Sequence, residues 1–383
     1  MKLAKVLSYK IPNSKGRSFG IWNFKIWCFN PKSTYTLKAS YKKHILNFKR
    51  PSGTSRGVLN TKETYFLILR TEEGFGVGEC GLLRGLSVDD RPDYEEELAG
   101  VCENIELGVS EADLYEALEE FPSIQFGVET AFKSLHSKNP FELFPSEFTN
   151  GEASIPINGL VWMGDKVFMK QQISEKLKEG FTCIKMKIGA IGFKTEIELL
   201  KSIRTEFSAS EVELRVDANG AFSPKEALEK LKVLSDLQLH SIEQPIKQGQ
   251  WQEMARLCEE TPLPIALDEE LIGIFSEEEK SKLLDTIKPQ FIILKPSLIG
   301  GFCGSDTWIK LAENHKAGWW ITSALESNVG LNAISQYTFI KNSKLPQGLG
   351  TGSLYTNNID SPLEVSNGEL KYNPNKVWNF NFK

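Results

Sequence analysis

Three carboxylates close successive apolar runs in the second half of the chain: Asp217, Glu243 and Asp268. If these runs are parallel strands of one barrel, their carboxyl ends meet at one mouth, where the carboxylates would repel one another without a cation between them. Oxygen ligands with no His or Cys suit Mg²⁺, with Mn²⁺ as the alternative ion. A single Asp at a strand end more often caps the following helix. Three in successive units favour a metal site.

Three lysines fall at the same predicted mouth. Lys185 and Lys187 are two apart on one strand, so both side chains point to the inside of a barrel, and Lys295 ends a later strand. Burying a lysine is costly unless it is paired or functional. We expect the metal, the neighbouring lysine and apolar walls to lower an ammonium pKa toward the range of a base. The alternative is that the lysines form structural ion pairs with the carboxylates.

The order of these residues predicts a type of reaction. The strands of Lys187 and Lys295 would lie across the barrel from each other, with the carboxylates between them. A substrate carboxylate held on the metal would have a more acidic α-C–H, because the resulting enediolate is stabilised, and a lysine could remove that proton.

Regular spacing of strand-end residues indicates the fold that positions this chemistry. Six polar strand-end residues are separated by 30, 26, 25, 27 and 28 positions, about one strand, one helix and two loops. They are Lys187, Asp217, Glu243, Asp268, Lys295 and Ser323. With a first strand at 155–160 and a last near 347–349, eight units complete an α/β fold of the (β/α)8 TIM-like barrel type. An open doubly wound sheet is the alternative, but no Gly-rich phosphate loop follows the first strand.

The first part of the chain has a different pattern. Residues 35–79 alternate in short β-rich runs broken by turns, and residues 87–143 contain segments with helical spacing of apolar positions. Helices that follow a small antiparallel sheet predict an α+β N-terminal domain. The glycines from Gly74 to Gly78 indicate a hairpin, because no helix follows them directly.

Composition excludes several function classes. The chain has 383 residues, 40% of them hydrophobic and 25% charged, as in ordinary globular proteins. Twelve of its 45 basic residues and no acidic residue lie in 1–50, so the remainder is acidic, which argues against a nucleic-acid partner. No run approaches the ~18 apolar residues of a membrane span. The six cysteines are at least 22 positions apart, so no CxxC motif is present and a cytoplasmic location with reduced thiols is predicted.

Over about 35–372, the chain resembles the enolase superfamily, in its muconate-lactonising-like branch. The residues that carry the resemblance are Lys185, Lys187, Asp217, Glu243, Asp268 and Lys295. The resemblance implies a Mg²⁺-dependent enzyme with an α+β N-terminal domain that caps the barrel. It also implies that Lys187 is the base, that Lys295 stabilises the enediolate from the other face, and that Lys185 adjusts the field around Lys187. Enzymes of this superfamily use a Lys base with a metal-stabilised enediolate.

Within that branch, the chain is similar to the o-succinylbenzoate synthases of menaquinone biosynthesis. The similarity rests on the motifs at 51–57, 215–220, 323–330 and 348–352. It implies syn dehydration of a cyclohexadiene carboxylate, with substrate contacts from Ser323, Arg56, Arg215 and Asn219. Dipeptide epimerase, N-succinylamino acid racemase and muconate cycloisomerase are alternatives in the same branch, and a non-catalytic ligand-binding relative is an alternative of another class. The roles of Glu269 and Glu270 stay open.

The resemblance also divides the chain into segments. Residues 1–34 are expected to be a basic, disordered extension, 35–150 the capping domain, 151–350 the barrel, and 351–383 a segment that returns to the capping domain. The expected partner is a small-molecule carboxylate substrate, with a homo-oligomer left open.

Overall fold

The computed structural model describes residues 37–54 and 57–382. The predictions for residues 1–34 and for Arg56 fall outside this part of the chain. The boundaries of the four predicted segments stay a prediction.

The first described element is a three-stranded antiparallel sheet. Its strands are β1 (Lys38–Thr54), β2 (Gly57–Arg70) and β3 (Phe75–Cys80). Three helices follow: α1 (Tyr94–Glu106), α2 (Glu111–Ala117) and α3 (Pro122–Leu135). Alternate side chains of β2 enter two apolar cores, since Leu67 packs with residues of the helices and Phe66 packs with Phe380 near the C-terminus. The second half of β2 is therefore buried on both faces.

The glycines of the predicted hairpin have a packing role. A Cβ on Gly78 would lie 1.9 Å from the backbone oxygen of Gly127 in α3, and one on Gly76 would lie 2.3 Å from the oxygen of Ala131. Only glycine permits this close approach of β3 to α3. The glycine pattern therefore serves helix–sheet packing.

Seven parallel strands form the next sheet, in the order of the chain. They are β5 (Gly159–Val161), β6 (Cys183–Lys187), β7 (Glu213–Asp217), β8 (Ser241–Glu243), β9 (Ile265–Leu267), β10 (Phe291–Leu294) and β11 (Gly318–Ile321). The helices between and after them are α4 (Lys166–Lys178), α5 (Phe193–Glu206), α6 (Pro224–Ser235), α7 (Trp251–Glu260), α8 (Glu277–Ile287), α9 (Gly301–Asn314) and α10 (Asn328–Lys341).

A short eighth segment closes the ring. Gln347 forms a parallel bridge with Ile157, and Gly348 forms one with Thr322 after β11. The strands and helices alternate and the ends of the sheet meet through this segment, which confirms the predicted α/β barrel with an N-terminal α+β part.

The last elements pair with the entry to the barrel. β4 (Ser154–Pro156), β12 (Leu363–Ser366) and β13 (Glu369–Tyr372) make a small antiparallel sheet in the order β12, β13, β4. None of the described helices has the length and hydropathy needed to cross a membrane.

Candidate active site

Neighbouring barrel strands place three functional side chains in one row. Lys187 ends β6, Asp217 ends β7 and Glu243 ends β8, and the strand register aligns Lys187 with Asp217 and Asp217 with Glu243. Adjacent strands are ~4.8 Å apart, so the three side chains leave the sheet as close neighbours. Asp268 and Lys295 directly follow β9 and β10. The structure therefore brings the predicted lysines and carboxylates to one end of the barrel.

The lysines make ion pairs with these carboxylates. Lys185 Nζ lies 3.0 Å from Asp217 Oδ2 and donates a hydrogen bond to Glu243 Oε2. Lys187 Nζ donates to Asp217 Oδ2 at 2.9 Å, and Lys295 donates to Asp268. These are the contacts that the ion-pair alternative predicted.

The carboxylates have the chemistry of a magnesium site, although ammonium groups now lie among them. Within residues 37–54 and 57–382, no group of three or more His, Cys, Asp or Glu side chains is arranged to hold a metal ion as it stands. Yet Glu243 Oε1 is buried and receives no hydrogen bond from the described residues. An acceptor of this kind calls for a cation or a donor. The oxygen-only donor set of Asp217, Glu243 and Asp268 therefore suits a divalent ion.

The same pairing sets the direction of the pKa shifts. Burial lowers the pKa of Lys185 and Lys295, but attraction by the carboxylates outweighs it, and both values are raised. The lowered lysine pKa expected from the sequence depends on a metal ion held by these carboxylates, and it stays a prediction. At Asp217 and Asp268, burial raises the pKa of the carboxyl groups, but the attraction of the lysines is larger. The pKa of both groups is therefore lowered. Burial and repulsion from Asp217 raise the pKa of Glu243.

A chain of side chains orients Lys187. Its Nζ donates to Asn219 Oδ1 at 2.8 Å, and Asn219 Nδ2 donates to Glu269 Oε1 at 3.0 Å. Asn219 has a φ of 44°, and its backbone N–H donates to Asp217 Oδ1 at 3.0 Å. Asn219 also lines a cavity beside this cluster. Glu269, whose role the sequence left open, thus accepts a hydrogen bond from Asn219, which in turn contacts Lys187.

Glu270 turns to a different partner. Its carboxylate accepts from Gln244 Nε2 at 2.9 Å and from the backbone N–H of Gly249 at 2.8 Å. It therefore braces the loop after β8 rather than the lysines.

A cavity of about 430 Å³ opens beside this cluster, a size typical of small-molecule sites. Its polar wall includes Lys185, Lys187, Asp217, Asn219, Lys295 and Ser323. Leu83, Trp162 and Leu325 form an apolar cluster on another side. The 348–354 loop contributes glycines to the rim. One side of the cavity is thus charged and another is apolar.

Ser323 lines the cavity, but its hydroxyl is already engaged. It donates to Glu326 Oε2 at 2.6 Å and accepts from the Leu325 N–H and from Thr351 Oγ1, both at 2.9 Å. One donor and two acceptor positions are all that a hydroxyl has. A substrate contact from the Ser323 side chain would have to displace one of these bonds.

Arg215 has contacts different from the predicted substrate contact. It shares the inner face with Asp217, but two residues along a strand place it ~6.6 Å deeper. Its Nε donates to Glu213 Oε1 at 2.7 Å, Nη1 donates to the Pro346 oxygen at 2.9 Å, and the guanidinium lies 4.3 Å from the centre of the Trp320 ring. Arg215 is not among the described residues that line the cavity. The structure gives it a packing role inside the barrel.

Sequence reasoning missed a buried polar network beside the site. Glu326 is fully buried and accepts hydrogen bonds from Ser323 and from Ser297, which lies two residues after Lys295. Its carboxylate therefore links the loops that follow β10 and β11.

A second buried glutamate joins this region to the N-terminal sheet. Glu79 on β3 accepts from Thr64 Oγ1 at 2.7 Å, from Ser327 N–H at 2.8 Å and from Gly330 N–H at 2.8 Å. Lys62 on β2 is 4% exposed, and Glu79 and Glu326 attract its charge. No sequence signal marks this network, since Lys62 lies among polar residues in Asn-Thr-Lys-Glu-Thr and Glu79 lies between Gly78 and Cys80.

Comparison with known proteins identifies the family. Residues 169–375, more than half of the chain, match the family described as Enolase C-terminal domain-like. An o-succinylbenzoate synthase of Desulfotalea psychrophila is 48% identical in an alignment of 363 positions that covers 87% of this chain and 98% of that protein. The chain belongs to the enolase superfamily.

Solved enolase-superfamily structures share the whole architecture. The crystal structure of MenC from Desulfotalea psychrophila has a TM-score of 0.78 and 45% identity, covering 88% of this chain and 99% of that one. A dipeptide epimerase from Cytophaga hutchinsonii, solved with Mg and the dipeptide D-Ala-L-Val, has a TM-score of 0.75 and 18% identity, covering 91% and 97%. The second similarity concerns the fold alone. Both share the barrel fold, and the 45% identical structure agrees with the family assignment.

Proposed function

We propose that this chain is an o-succinylbenzoate synthase. The reaction is a Mg²⁺-dependent syn elimination of water from 2-succinyl-6-hydroxy-2,4-cyclohexadiene-1-carboxylate, which gives o-succinylbenzoate for menaquinone biosynthesis. The observation that carries the proposal is the position of Lys187 at the end of β6 and of Lys295 directly after β10. These strands lie on opposite sides of the barrel, with three carboxylates on the strands between them. Identity of 48% with a synthase along most of the chain supports the choice of substrate.

Asp217, Glu243 and Asp268 would hold the Mg²⁺. Their oxygen-only donor set and the buried Glu243 Oε1 support this assignment, as does the Mg in the related epimerase structure. When bound, the ion would neutralise the charge that builds up on the substrate carboxylate as its α-proton leaves. With their carboxylate partners committed to the ion, the lysines would be released toward the substrate.

Lys187 would transfer the proton, and Lys295 would stabilise the charge that develops. Lys187 Nζ takes the proton from C1 of the ring and returns it to the hydroxyl that departs from C6 on the same face. One C–H and one C–O bond break, the ring becomes aromatic, and water leaves. Lys295 stays protonated on the opposite face and stabilises the negative charge, as a fixed cation can in a buried site. The hydrogen bonds that link Lys187, Asn219 and Glu269 keep the Lys187 side chain oriented.

The apolar side of the cavity suits the substrate ring. Leu83, Trp162 and Leu325 offer a surface against which a cyclohexadiene can pack. The cavity places that surface beside the lysines and the carboxylates.

The direct test is to incubate the purified protein and Mg²⁺ with the cyclohexadiene. We expect the ultraviolet change of aromatisation, and we expect EDTA to stop it and added Mg²⁺ to restore it. Absence of turnover in Mg²⁺-loaded, folded protein would contradict the proposal.

Dipeptide epimerisation is the second candidate. Two lysines on opposite faces of a substrate can also remove its α-proton on one face and return a proton on the other, which inverts the configuration. Residues 348–354, Gly-Leu-Gly-Thr-Gly-Ser-Leu, favour the synthase, since they contain no acid that could hold a dipeptide ammonium. The first acidic residue after this stretch is Asp360. Faster epimerisation of Ala-Glu than dehydration of the cyclohexadiene would favour the epimerase.

A further inference from the structure

A second cavity, of about 280 Å³, lies away from the lysine and carboxylate cluster. It is enclosed by α2, the start of α3, the segment before α8 and the loop that follows β10. Pro122, Phe275 and Leu298 are among its apolar walls. It shares none of its described lining residues with the cavity of the proposed active site.

One charged side chain lines this cavity from within the protein. Lys280 on α8 is only 5% exposed, and its ammonium lies 5.6 Å from the centre of the Trp308 ring. Among residues 37–54 and 57–382, no hydrogen bond or ion pair engages this ammonium. Burial lowers the pKa of Lys280, and the attraction of Cys303, Glu119 and Glu277 does not compensate for it.

Two other polar side chains of the wall, Tyr115 and Gln125, make hydrogen bonds that do not involve Lys280. The Tyr115 hydroxyl donates to the Gly300 oxygen at 2.6 Å, and Gln125 Nε2 donates to the Tyr115 oxygen at 2.8 Å. These bonds hold α2 against the loop after β10. The Lys280 ammonium lines the cavity without a hydrogen-bonded acceptor from the described residues, so an anion that entered the cavity would pair with it.

We propose that this cavity is a second ligand site, which binds a small organic acid with one carboxylate and an apolar body. The carboxylate would pair with Lys280, and the body would pack on the apolar walls. A volume of 280 Å³ suits a single-ring acid and is at the small end of ligand cavities, ~300–1,000 Å³.

The rim restricts the charge of the ligand. Glu116 and Glu119 also line the cavity, and both are exposed. A second carboxylate on the ligand would face these two glutamates and be repelled. The site should therefore discriminate between monocarboxylates and dicarboxylates.

Benzoate is the probe. Lysines of the full chain are labelled by reductive methylation with and without benzoate, and labelling is quantified by peptide mass spectrometry. We expect saturating benzoate to protect Lys280 and to leave Lys282, an exposed lysine of the same helix, unchanged. Benzyl alcohol, which has the ring without the charge, should not protect, and phthalate should protect less than benzoate. Because the readout is the Lys280 amine itself, benzoate bound elsewhere does not contribute.

Calorimetry with matched variants completes the test. Lys280→Met should weaken this benzoate site about tenfold or more, in line with the loss of charge-assisted hydrogen bonds, while Lys282→Met should not. Equal labelling of Lys280 with and without benzoate would overturn the proposal. Equal protection by benzyl alcohol would show that charge is not recognised, and equal protection by phthalate would remove the restriction to one carboxylate.

Discussion

Glu79→Gln should destabilise the protein far more than the same change at an exposed glutamate. The Glu79 carboxylate accepts two backbone N–H groups, from Ser327 and Gly330, together with the hydroxyls of Thr64 and Ser327. A glutamine amide keeps only one oxygen. Whichever way it turns, its NH₂ group faces a backbone N–H that cannot rotate away.

The magnitude follows from these contacts. One buried backbone N–H loses its acceptor, which costs about 1–3 kcal/mol, and the remaining bonds lose their charge assistance, about 1 kcal/mol more. Lys62 also loses one of the two carboxylates that attract its buried charge. We expect Glu79→Gln to lower the free energy of unfolding by about 2–4 kcal/mol.

Urea unfolding followed by tryptophan fluorescence measures this loss. Glu72→Gln, at an exposed position in the turn between β2 and β3, is the matched control and should change stability by less than about 0.5 kcal/mol. If the two variants unfold at the same urea concentration, the buried network does not join the N-terminal sheet to α10 as described.

Three further predictions concern metal, pH and Arg215. Glu243→Gln should abolish measurable Mg²⁺ binding in calorimetry while the circular dichroism spectrum stays unchanged; undiminished binding would contradict the ligand assignment. Burial raises the pKa of Glu129 to about 7, so the folded protein keeps a proton that the unfolded chain releases. Its contribution to the free energy of unfolding should fall by up to about 3 kcal/mol as pH rises from about 4.5 to 7, and urea unfolding of Glu129→Gln should lack this part of the pH dependence. Arg215→Met should lower the melting temperature and leave KM unchanged; a raised KM with unchanged stability would restore the predicted substrate contact.

The charged cluster was predictable because barrel topology turns sequence spacing into position. Spacings of 25–30 residues correspond to one strand–helix unit, and parallel strands bring their carboxyl ends to the same mouth. The period of two along a strand then places Lys185 and Lys187 on the same inner face. Topology and local periodicity therefore suffice to bring the lysines together with Asp217, Glu243 and Asp268.

The sequence could not predict how deep a side chain lies in the barrel or which residues it contacts. The sequence predicted that Arg215 lies on the inner face of β7, but it did not predict the residues that Arg215 contacts deep in the barrel. One of the three bonds of the Ser323 hydroxyl comes from Thr351, in a loop 28 residues later. The Glu79 and Glu326 network joins segments almost 250 residues apart, with no periodicity to reveal it. The direction of the lysine pKa shifts depends on which charge is nearest, which requires coordinates.

The most direct test of the central claim is the fate of the substrate α-proton in Lys187→Ala. Dehydration and exchange of this proton with deuterated solvent are measured in the same preparation, with Mg²⁺ bound and folding verified. We expect both rates to fall by about 10²–10⁴-fold, the contribution of a positioned general base. Retained exchange in Lys187→Ala would contradict the account and assign the proton to another group.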